Sequence, residues 1–470
     1  MTMINPHIFR AYDIRGIADP ADNKPADLTE ESVYLIGKGA GTYLQQKYSV
    51  KTMVVGRDNR LTGEKLENAF IKGLTETGIN VTDVGLSISP MIYWASCALD
   101  FDSGTNITAS HNPKEYNGIK IVTRGAHSIC GDELQEIKNI IEENEFIKPD
   151  HVGTVAKQDI REKYMEDLAA RVKLEKKLKI VVDTGNGTAG IFAPEFLRKI
   201  GCEVTELYTD LDGNFPNHEA NPEELHNMQD LIKKVLELKA DLGIGFDGDG
   251  DRVGVVNEKG ELYSSDFMLF LLVKDLLKRV KSPKIVFDIK VSQTIINKME
   301  ELGAVPVMSK TGHSFIESKI KELGSPLGGE VSGHLFFGEN YYGFDDALLG
   351  AGKICEIISK ESSPLSELFN DLPETFTTPE FKAHCPDDKK FEIIKNLVDH
   401  FTKIYDCITI DGVRIKFGGI AWGAIRASNT SPNLTIRFEA ETPEKLKEIQ
   451  KIMAEKLKKY PEVSMDWYKE

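Results

Sequence analysis

One plan occurs three times in the first two-thirds of this chain, and it restricts the fold more than any other feature. KTMVVGRDNRLTG begins at Lys51, LKIVVDTGNGTAG at Leu178 and PKIVFDIKVSQT at Pro283. Each opens with a Val- and Ile-rich run, passes a polar or glycine turn, and enters helix-compatible sequence at Glu64 to Thr77, Ile191 to Ile200 or Thr294 to Leu302. A glycine then stops the helix (Gly78, Gly201, Gly303), and a second β-prone run follows, INVTDVG, CEVTELY or AVPVMS. This is a βαβ unit, and three in tandem predict three related α/β domains with mixed, substantially parallel sheets.

After about Ser363 the pattern changes. The tail from Pro373 carries a Lys-rich amphipathic helix near Lys389 to Tyr405, β-prone pieces at Cys407 to Phe417 and Leu434 to Ala440, and a last helix at Pro443 to Lys459. It reads as a smaller α+β fourth domain. A length of 470 residues suits three or four domains, with expected spans 1–152, 153–256, 257–370 and 371–470.

The repeats also place unusual loops: TASHNP at Thr108 to Pro113, DGDGDR at Asp247 to Arg252, and GGEVSGH at Gly328 to His334. Ligands in open α/β sheets bind beyond the carboxyl ends of strands, so the loops are expected to share one cleft. In the second, Asp247, Asp249 and Asp251 alternate with Gly248 and Gly250, and Arg252 follows. Like charges about 4 Å apart at an effective dielectric near 20 repel by about 4 kcal/mol per pair. The bland reading is a solvated acidic turn; the functional one is a hard cation, Mg²⁺ before Mn²⁺ or Ca²⁺, on an all-oxygen set. A helix-loop-helix calcium site would also use Asp247, Asp249, Asp251 and Glu258, but Arg252 replaces its sharp-turn glycine. The flanks, Ala240 to Phe246 and Val253 to Asn257, read as strands.

Ser110 precedes an expected helix start. There it is either a cap or, beside His111 and Lys120 and opposite a metal loop, a carrier of a phosphoryl group. Glu330, Ser332 and His334 suit neighbouring sugar hydroxyls, or are incidental polar residues of a turn. Lys310 and His313 are further candidate bases or cations, and Lys290 is expected at the end of the third repeat's first strand. Arg426 with Ser428, Asn429 and Thr430 fits a dianionic phosphate, since a guanidinium binds bidentately and hydroxyls and amides fill the remaining acceptors. Tyr12 and Arg15, in FRAYDIRG, carry little signal alone.

A net charge of −16 argues against nucleic acid or an anionic membrane as the main partner. Six scattered cysteines without a Cys-x-x-Cys pair suggest reduced thiols in a cytoplasmic protein. The start, MTMINPHIFR, lacks the apolar core of a signal peptide, and the run Phe267 to Val273 is far short of a membrane span.

Taken in order, FRAYDIRG, TASHNP with NGIK, DGDGDR, KTGH, GGEVSGH and RASNTSPNLTIRFEA resemble the α-D-phosphohexomutases along the whole chain, with the bacterial phosphomannomutase/phosphoglucomutase branch the nearest in motif. One departure is Val331, where that branch often has methionine. The resemblance implies four domains around a central cleft, Ser110 as a phosphoserine, and Mg²⁺ held by Asp247, Asp249, Asp251 and the phosphoserine. It further implies sugar contacts from Glu330 and Ser332, and the non-reacting phosphate on Arg426, Ser428, Asn429 and Thr430. Tyr12, Arg15, His111, Lys120, Arg252, Lys290, His313 and His334 would line the site. The expected activity is interconversion of hexose 6-phosphate and hexose 1-phosphate, mannose or glucose, through a hexose 1,6-bisphosphate that is also an activator. The expected enzyme is a monomer or weak homo-oligomer. Alternatives are a phosphoglucosamine mutase, a mainly glucose-specific phosphoglucomutase, a hydrolase releasing phosphate, or a silent sugar-phosphate sensor on the same fold.

Overall fold

The structure, a computed structural model, describes residues 4–20, 24–429 and 431–468. They fall into two compact units, Met1–Met268 with Ser332–Leu368, and Leu269–Val331 with Phe369–Glu470.

All three repeats fold as the sequence predicts. The strand, helix and strand are Thr52–Arg57, Gly63–Thr75 and Asn80–Leu86 in the first; Lys179–Asp183, Ala193–Lys199 and Glu203–Leu207 in the second; Lys284–Asp288, Gln293–Glu301 and Val305–Ser309 in the third. Their strands pair in parallel within each repeat. Gly78, Gly201 and Gly303 take φ of 94°, 108° and 96°, which a side chain resists, so each helix ends two or three residues before its glycine. Ile191 falls in a short 3-10 turn, Thr188–Ile191, and Pro194 opens the α-helix proper.

In the first unit a seven-stranded sheet runs in the order Ile14–Ile17, Tyr116–Thr123, Ser103–Ile107, Thr52–Arg57, Asn80–Leu86, Val155–Lys157, with His127–Ser128 beside Tyr116–Thr123. Ser103–Ile107 and Tyr116–Thr123 pair antiparallel. The chain between them, which carries Ser110, is therefore a tight connection between strands. The helix expected after Ser110 is absent: Ser110 and His111 form a turn, Asn112 a bend, and Lys114 and Glu115 another turn. Pro113 biases Asn112 away from the helical region, and the β-rich sequence after it pairs at once into the sheet.

A second sheet runs Leu262–Tyr263, Val253–Asn257, Leu242–Phe246, Lys179–Asp183, Glu203–Leu207. Leu242–Phe246 and Val253–Asn257 are antiparallel and register Phe246 against Val253, which makes the aspartate loop the turn of a hairpin. Both strands are buried throughout.

The second unit holds the third repeat, where Lys284–Asp288 pairs in parallel with Val305–Ser309 and Leu327–Gly329. It also holds an antiparallel sheet in the order Phe376–Thr377, Asn433–Ala440, Trp422–Ala427, Val413–Lys416, Cys407–Ile408, with Phe381–His384 beside Asn433–Ala440. Helices Asp387–Phe401 and Pro443–Leu457 cover one core with it, built from Ile394, Leu397, Phe401, Ile425, Phe438 and Met453 among others. No described helix is long and apolar enough to cross a membrane.

Candidate active site

The aspartate loop folds on itself first. Asp247 Oδ1 accepts the backbone N–H groups of Asp251 (3.0 Å) and Arg252 (3.1 Å), which curls the hairpin turn around its own first carboxylate. Asp247, Asp249 and Asp251 are fully buried. A Cβ at position 248 would lie 2.5 Å from the carbonyl oxygen of Ser110, so glycine permits the two loops to touch.

That contact brings the serine to the carboxylates. Ser110 Oγ donates to Asp247 Oδ2 at 2.6 Å, and His111 Nδ1 lies 3.2 Å from the same hydroxyl. Ser110 itself sits at φ 50°, a left-handed conformation that costs a residue with a Cβ about 1–3 kcal/mol unless its surroundings hold it there. Lys120, from Tyr116–Thr123, lays its ammonium between Asp249 Oδ2 (2.8 Å) and Asp251 Oδ2 (2.6 Å). Ser89 Oγ donates to Asp249 Oδ2 at 2.6 Å.

Burial pushes the Asp247 carboxyl well above the usual range, and the neighbouring Asp251 and Asp249 add to it. Burial works against charge on Asp251 as well, but Lys120, His334 and Arg252 together hold its carboxyl well below that range. Burial also opposes the charge on Lys120, and Asp249 and Asp251 overcome it, keeping the ammonium protonated. One lysine does not satisfy the cluster. Asp249 Oδ1 and Asp251 Oδ1 are buried without a hydrogen-bond partner, a costly state for a carboxylate oxygen. Ligand atoms of the three aspartates lie within 4.8 Å of one another. Orphaned oxygens on an all-oxygen set fit a hard divalent cation.

His334 lies at the edge of this cluster. Its Nδ1 is 2.5 Å from Asp345 Oδ2 and 3.8 Å from Asp251 Oδ1, and its Nε2 accepts from Arg252 Nε at 3.0 Å. Arg252 also faces Glu223 at 3.8 Å. Asp251, His334 and Asp345 form a second group with metal-ligand spacing, in which His334 Nδ1 is turned closely onto Asp345. Nearby, Arg15 donates to Asp13 and to Asn112 Oδ1 (3.0 Å). Tyr12 is half-buried just before Ile14–Ile17. A pocket of about 280 Å³ opens beside Ser110, lined by Asn112, Lys114, Asn214, Phe215 and Glu219 among others.

Four family descriptions match this chain in succession. Residues 6–148 match phosphoglucomutase/phosphomannomutase alpha/beta/alpha domain I, 162–260 domain II, 264–376 domain III, and 380–456 the C-terminal domain. The chain belongs to the phosphoglucomutase/phosphomannomutase family. It is 42% identical over 455 residues to a phosphomannomutase/phosphoglucomutase of Pseudomonas syringae pv. tomato, covering 96% of this chain and 95% of that one. It is 39% identical over 453 residues to a phosphoglucomutase of Neisseria gonorrhoeae, covering 96% of each. A crystal structure of a phosphoglucomutase/phosphomannomutase family protein from Burkholderia thailandensis superposes with a TM-score of 0.89 at 37% identity, over 97% of this chain and 98% of that one. The relatives are mutases, and this chain is an isomerase of the same kind.

Within this phosphoglucomutase/phosphomannomutase family member, the structure gathers Ser110, His111, Lys120, Asp247, Asp249, Asp251, Arg252 and His334 in the first unit, where Ser332 is half-buried two residues before His334. The second unit joins three further expected segments. Glu330 Oε1 accepts the N–H of Gly312 (2.6 Å), next to His313. Asp411 Oδ2 accepts both the N–H of Thr311 (3.0 Å), next to Lys310, and Nε of Arg426 (2.6 Å). Lys310 Nζ lies 5.6 Å from the centre of the Phe315 ring. Lys290, buried two residues past its strand, pairs with Glu380 and faces Asp288 Oδ2 at 3.5 Å. Ser428 Oγ lies 2.9 Å from Ser431 Oγ, and Lys390 donates to the Ser428 carbonyl at 2.6 Å. Asn429 is in the turn beside it, and Thr430 lies outside the described residues.

Sequence reasoning missed Asp58, Arg60, Ser89, Asp345, Glu380 and Asp411. Asp58 and Arg60 had a weak signal, a charged pair in GRDNR directly after a repeat's first strand. The others act through contacts between segments far apart in the chain.

Proposed function

We propose that this enzyme interconverts hexose 6-phosphate and hexose 1-phosphate, with mannose and glucose as the sugars, through a phosphoryl group carried on Ser110. The observation that carries the reading is the 2.6 Å hydrogen bond from Ser110 Oγ to Asp247, which sets a serine hydroxyl against the buried carboxylates. In the forward step the P–Oγ bond to Ser110 breaks as a bond forms to the free sugar hydroxyl, and that hydroxyl's proton passes to a base. The resulting hexose 1,6-bisphosphate turns over and returns its other phosphoryl group to Ser110. Such transfers depend on alignment and charge stabilisation.

Asp247, Asp249, Asp251 and the seryl oxygen would hold Mg²⁺, which supplies positive charge to the transferring phosphoryl group. Lys120 and Arg252 add fixed cations. Lys120, His313 and His334 are the candidates for proton transfer at the sugar hydroxyl. In the second unit Glu330 supports the assignment to sugar hydroxyls, with Ser332 as its partner in that role. Arg426, Ser428, Asn429 and Thr430 are assigned to the non-reacting phosphate, with Lys290, Lys310, Tyr12 and Arg15 as further contacts. We place the enzyme in the cytosol, as a monomer or weak homo-oligomer. The six cysteines are not disulfide-bonded, in keeping with that placement.

Ser110→Ala tests the assignment. It should lower turnover by at least about 10³-fold while sugar-phosphate binding remains measurable; near-parental turnover would exclude Ser110 as carrier. Turnover on mannose, glucose and glucosamine 1-phosphates, measured side by side, decides the sugar.

A further inference from the structure

We propose that Arg60, braced by Phe215, is a positioning residue that holds Ser110 in its left-handed conformation with the hydroxyl on Asp247. The proposal rests on the reading of Ser110 as the phosphoryl carrier. Arg60 is 2% exposed, and each of its five N–H groups has an acceptor. Nη1 donates to the carbonyls of Pro113 (2.7 Å) and Tyr116 (3.0 Å), Nη2 to those of Ser110 (2.8 Å) and Asn112 (2.6 Å), and Nε to Asp58 Oδ2 (3.1 Å). Three of these carbonyls thus belong to the single connection that carries Ser110, and the fourth to the first residue of the strand that follows it.

The other side of Ser110 is tied to the same pair. Its N–H donates to Thr108 Oγ1 (2.9 Å), and Thr108 Oγ1 donates to Asp58 Oδ2 (2.6 Å). The N–H and C=O of Ser110 are therefore both fixed by Asp58 and Arg60, directly or through one hydroxyl. That geometry fixes φ and ψ at the serine and so the direction of its Cα–Cβ bond, from which Oγ reaches Asp247.

The second repeat closes the clamp. Phe215 places its ring 5.3 Å from the Arg60 guanidinium, and Phe215 is itself left-handed at φ 50°. A Cβ at Gly213 would fall 2.5 Å from the Asn59 carbonyl, so this loop is pressed against the turn that bears Arg60. Asn59 in turn donates to Thr188 Oγ1 (2.9 Å) and to the Asn186 carbonyl (2.8 Å). An arginine is required because its planar fork reaches several carbonyls at once, whereas a lysine offers the same charge from one atom.

Arg60→Lys and Phe215→Leu test this in the full-length enzyme. Arg60→Lys should lower kcat at least about tenfold with KM within about threefold of the parent, because alignment is lost and binding is not. Intact-protein mass spectrometry after incubation with glucose 1,6-bisphosphate should show less phosphoryl adduct on this variant than on the parent. A kcat within tenfold, or a KM that rises in proportion, overturns the clamp. If Arg60→Lys does not fold by circular dichroism, Phe215→Leu decides: a kcat lowered at least about threefold at parental KM supports the proposal, and a smaller change overturns it. An unphosphorylated parent would instead remove the reading of Ser110 itself, whereas an adduct on the parent with full turnover in Arg60→Lys removes the clamp alone.

Discussion

Ser110 and Asp247 are joined by a 2.6 Å hydrogen bond across 137 positions of sequence. The first belongs to the first repeat and the second to the second repeat, and each is shaped by its own turn before they meet. Asp247 spends its other oxygen on the backbone of its own hairpin, so the oxygen facing Ser110 is oriented before any ligand arrives.

Lys120 stands in for part of the positive charge the aspartates need. Lys120→Met would leave Asp249 and Asp251 buried without their ammonium, at a cost of roughly 3–5 kcal/mol. Mg²⁺ should then stabilise the variant more than the parent, since a cation that binds the folded site shifts stability by mass action. Thermal unfolding with and without MgCl₂ checks this, and an equal Mg²⁺ effect on both proteins would count against a metal on these carboxylates. Treatment of the parent with chelator should likewise abolish turnover, with recovery on adding Mg²⁺.

Asp411 holds Arg426 through Nε and also caps the N–H of Thr311. Asp411→Ala frees the guanidinium from its fixed orientation. KM for hexose phosphate should rise by about tenfold or more, with a smaller effect on kcat, as expected when a bidentate phosphate contact loses its alignment. Steady-state kinetics that leave KM at the parental value would remove Arg426 from phosphate binding or Asp411 from its support.

Glu67 gives a pH dependence away from the chemistry. Its carboxyl is pushed up to about 8, first by burial and then by Asp83, against the pull of Arg57 at 3.0 Å, and Oε1 is buried without a hydrogen-bond partner. The folded protein therefore binds this proton more tightly than the unfolded chain does. Stability from this group is present below an ordinary glutamate value and is lost as pH rises through about 8. Glu67→Gln should gain on the parent by roughly 3–4 kcal/mol between pH 5 and pH 8.5. Unfolding midpoints of both proteins across that range provide the comparison, and a constant difference would refute it.

Arg414 organises the core of the second unit. It is fully buried, donates to the carbonyls of Ile289 and Val291 and to Gln293 Oε1, and stacks 3.8 Å from the centre of the Trp422 ring. Arg414→Met should lower stability by roughly 3 kcal/mol through lost hydrogen bonds and the lost cation–π contact. Chemical denaturation followed by tryptophan fluorescence reads it directly, because Trp422 is the ring in question.

The repeats were legible because they follow local rules: Val- and Ile-rich strands, a turn, a helix and a glycine stop recur with fixed period. DGDGDR was legible because three carboxylates on alternate residues demand compensation wherever they fold. The turn at Ser110 was misread as a helix start, since a serine before polar residues satisfies capping rules. The antiparallel pairing of Ser103–Ile107 with Tyr116–Thr123 overrode that preference. Asp345 and Asp411 were not legible, and Arg60 showed only as half of a charged pair in GRDNR. Their partners are backbone carbonyls, a histidine ring and an arginine brought near by tertiary structure, and no spacing within the chain announces such contacts.

Gly248 has a consequence for how this enzyme can be divided. With the backbone of one repeat seated against the serine of the other, serine and carboxylates exist as a pair only while both repeats stay in register. Tethering within one polypeptide gives each a high effective concentration for the other. A chain cut between the first and second repeats would have to recover that by affinity alone, so the intact backbone is itself a reagent in the assembly of the site.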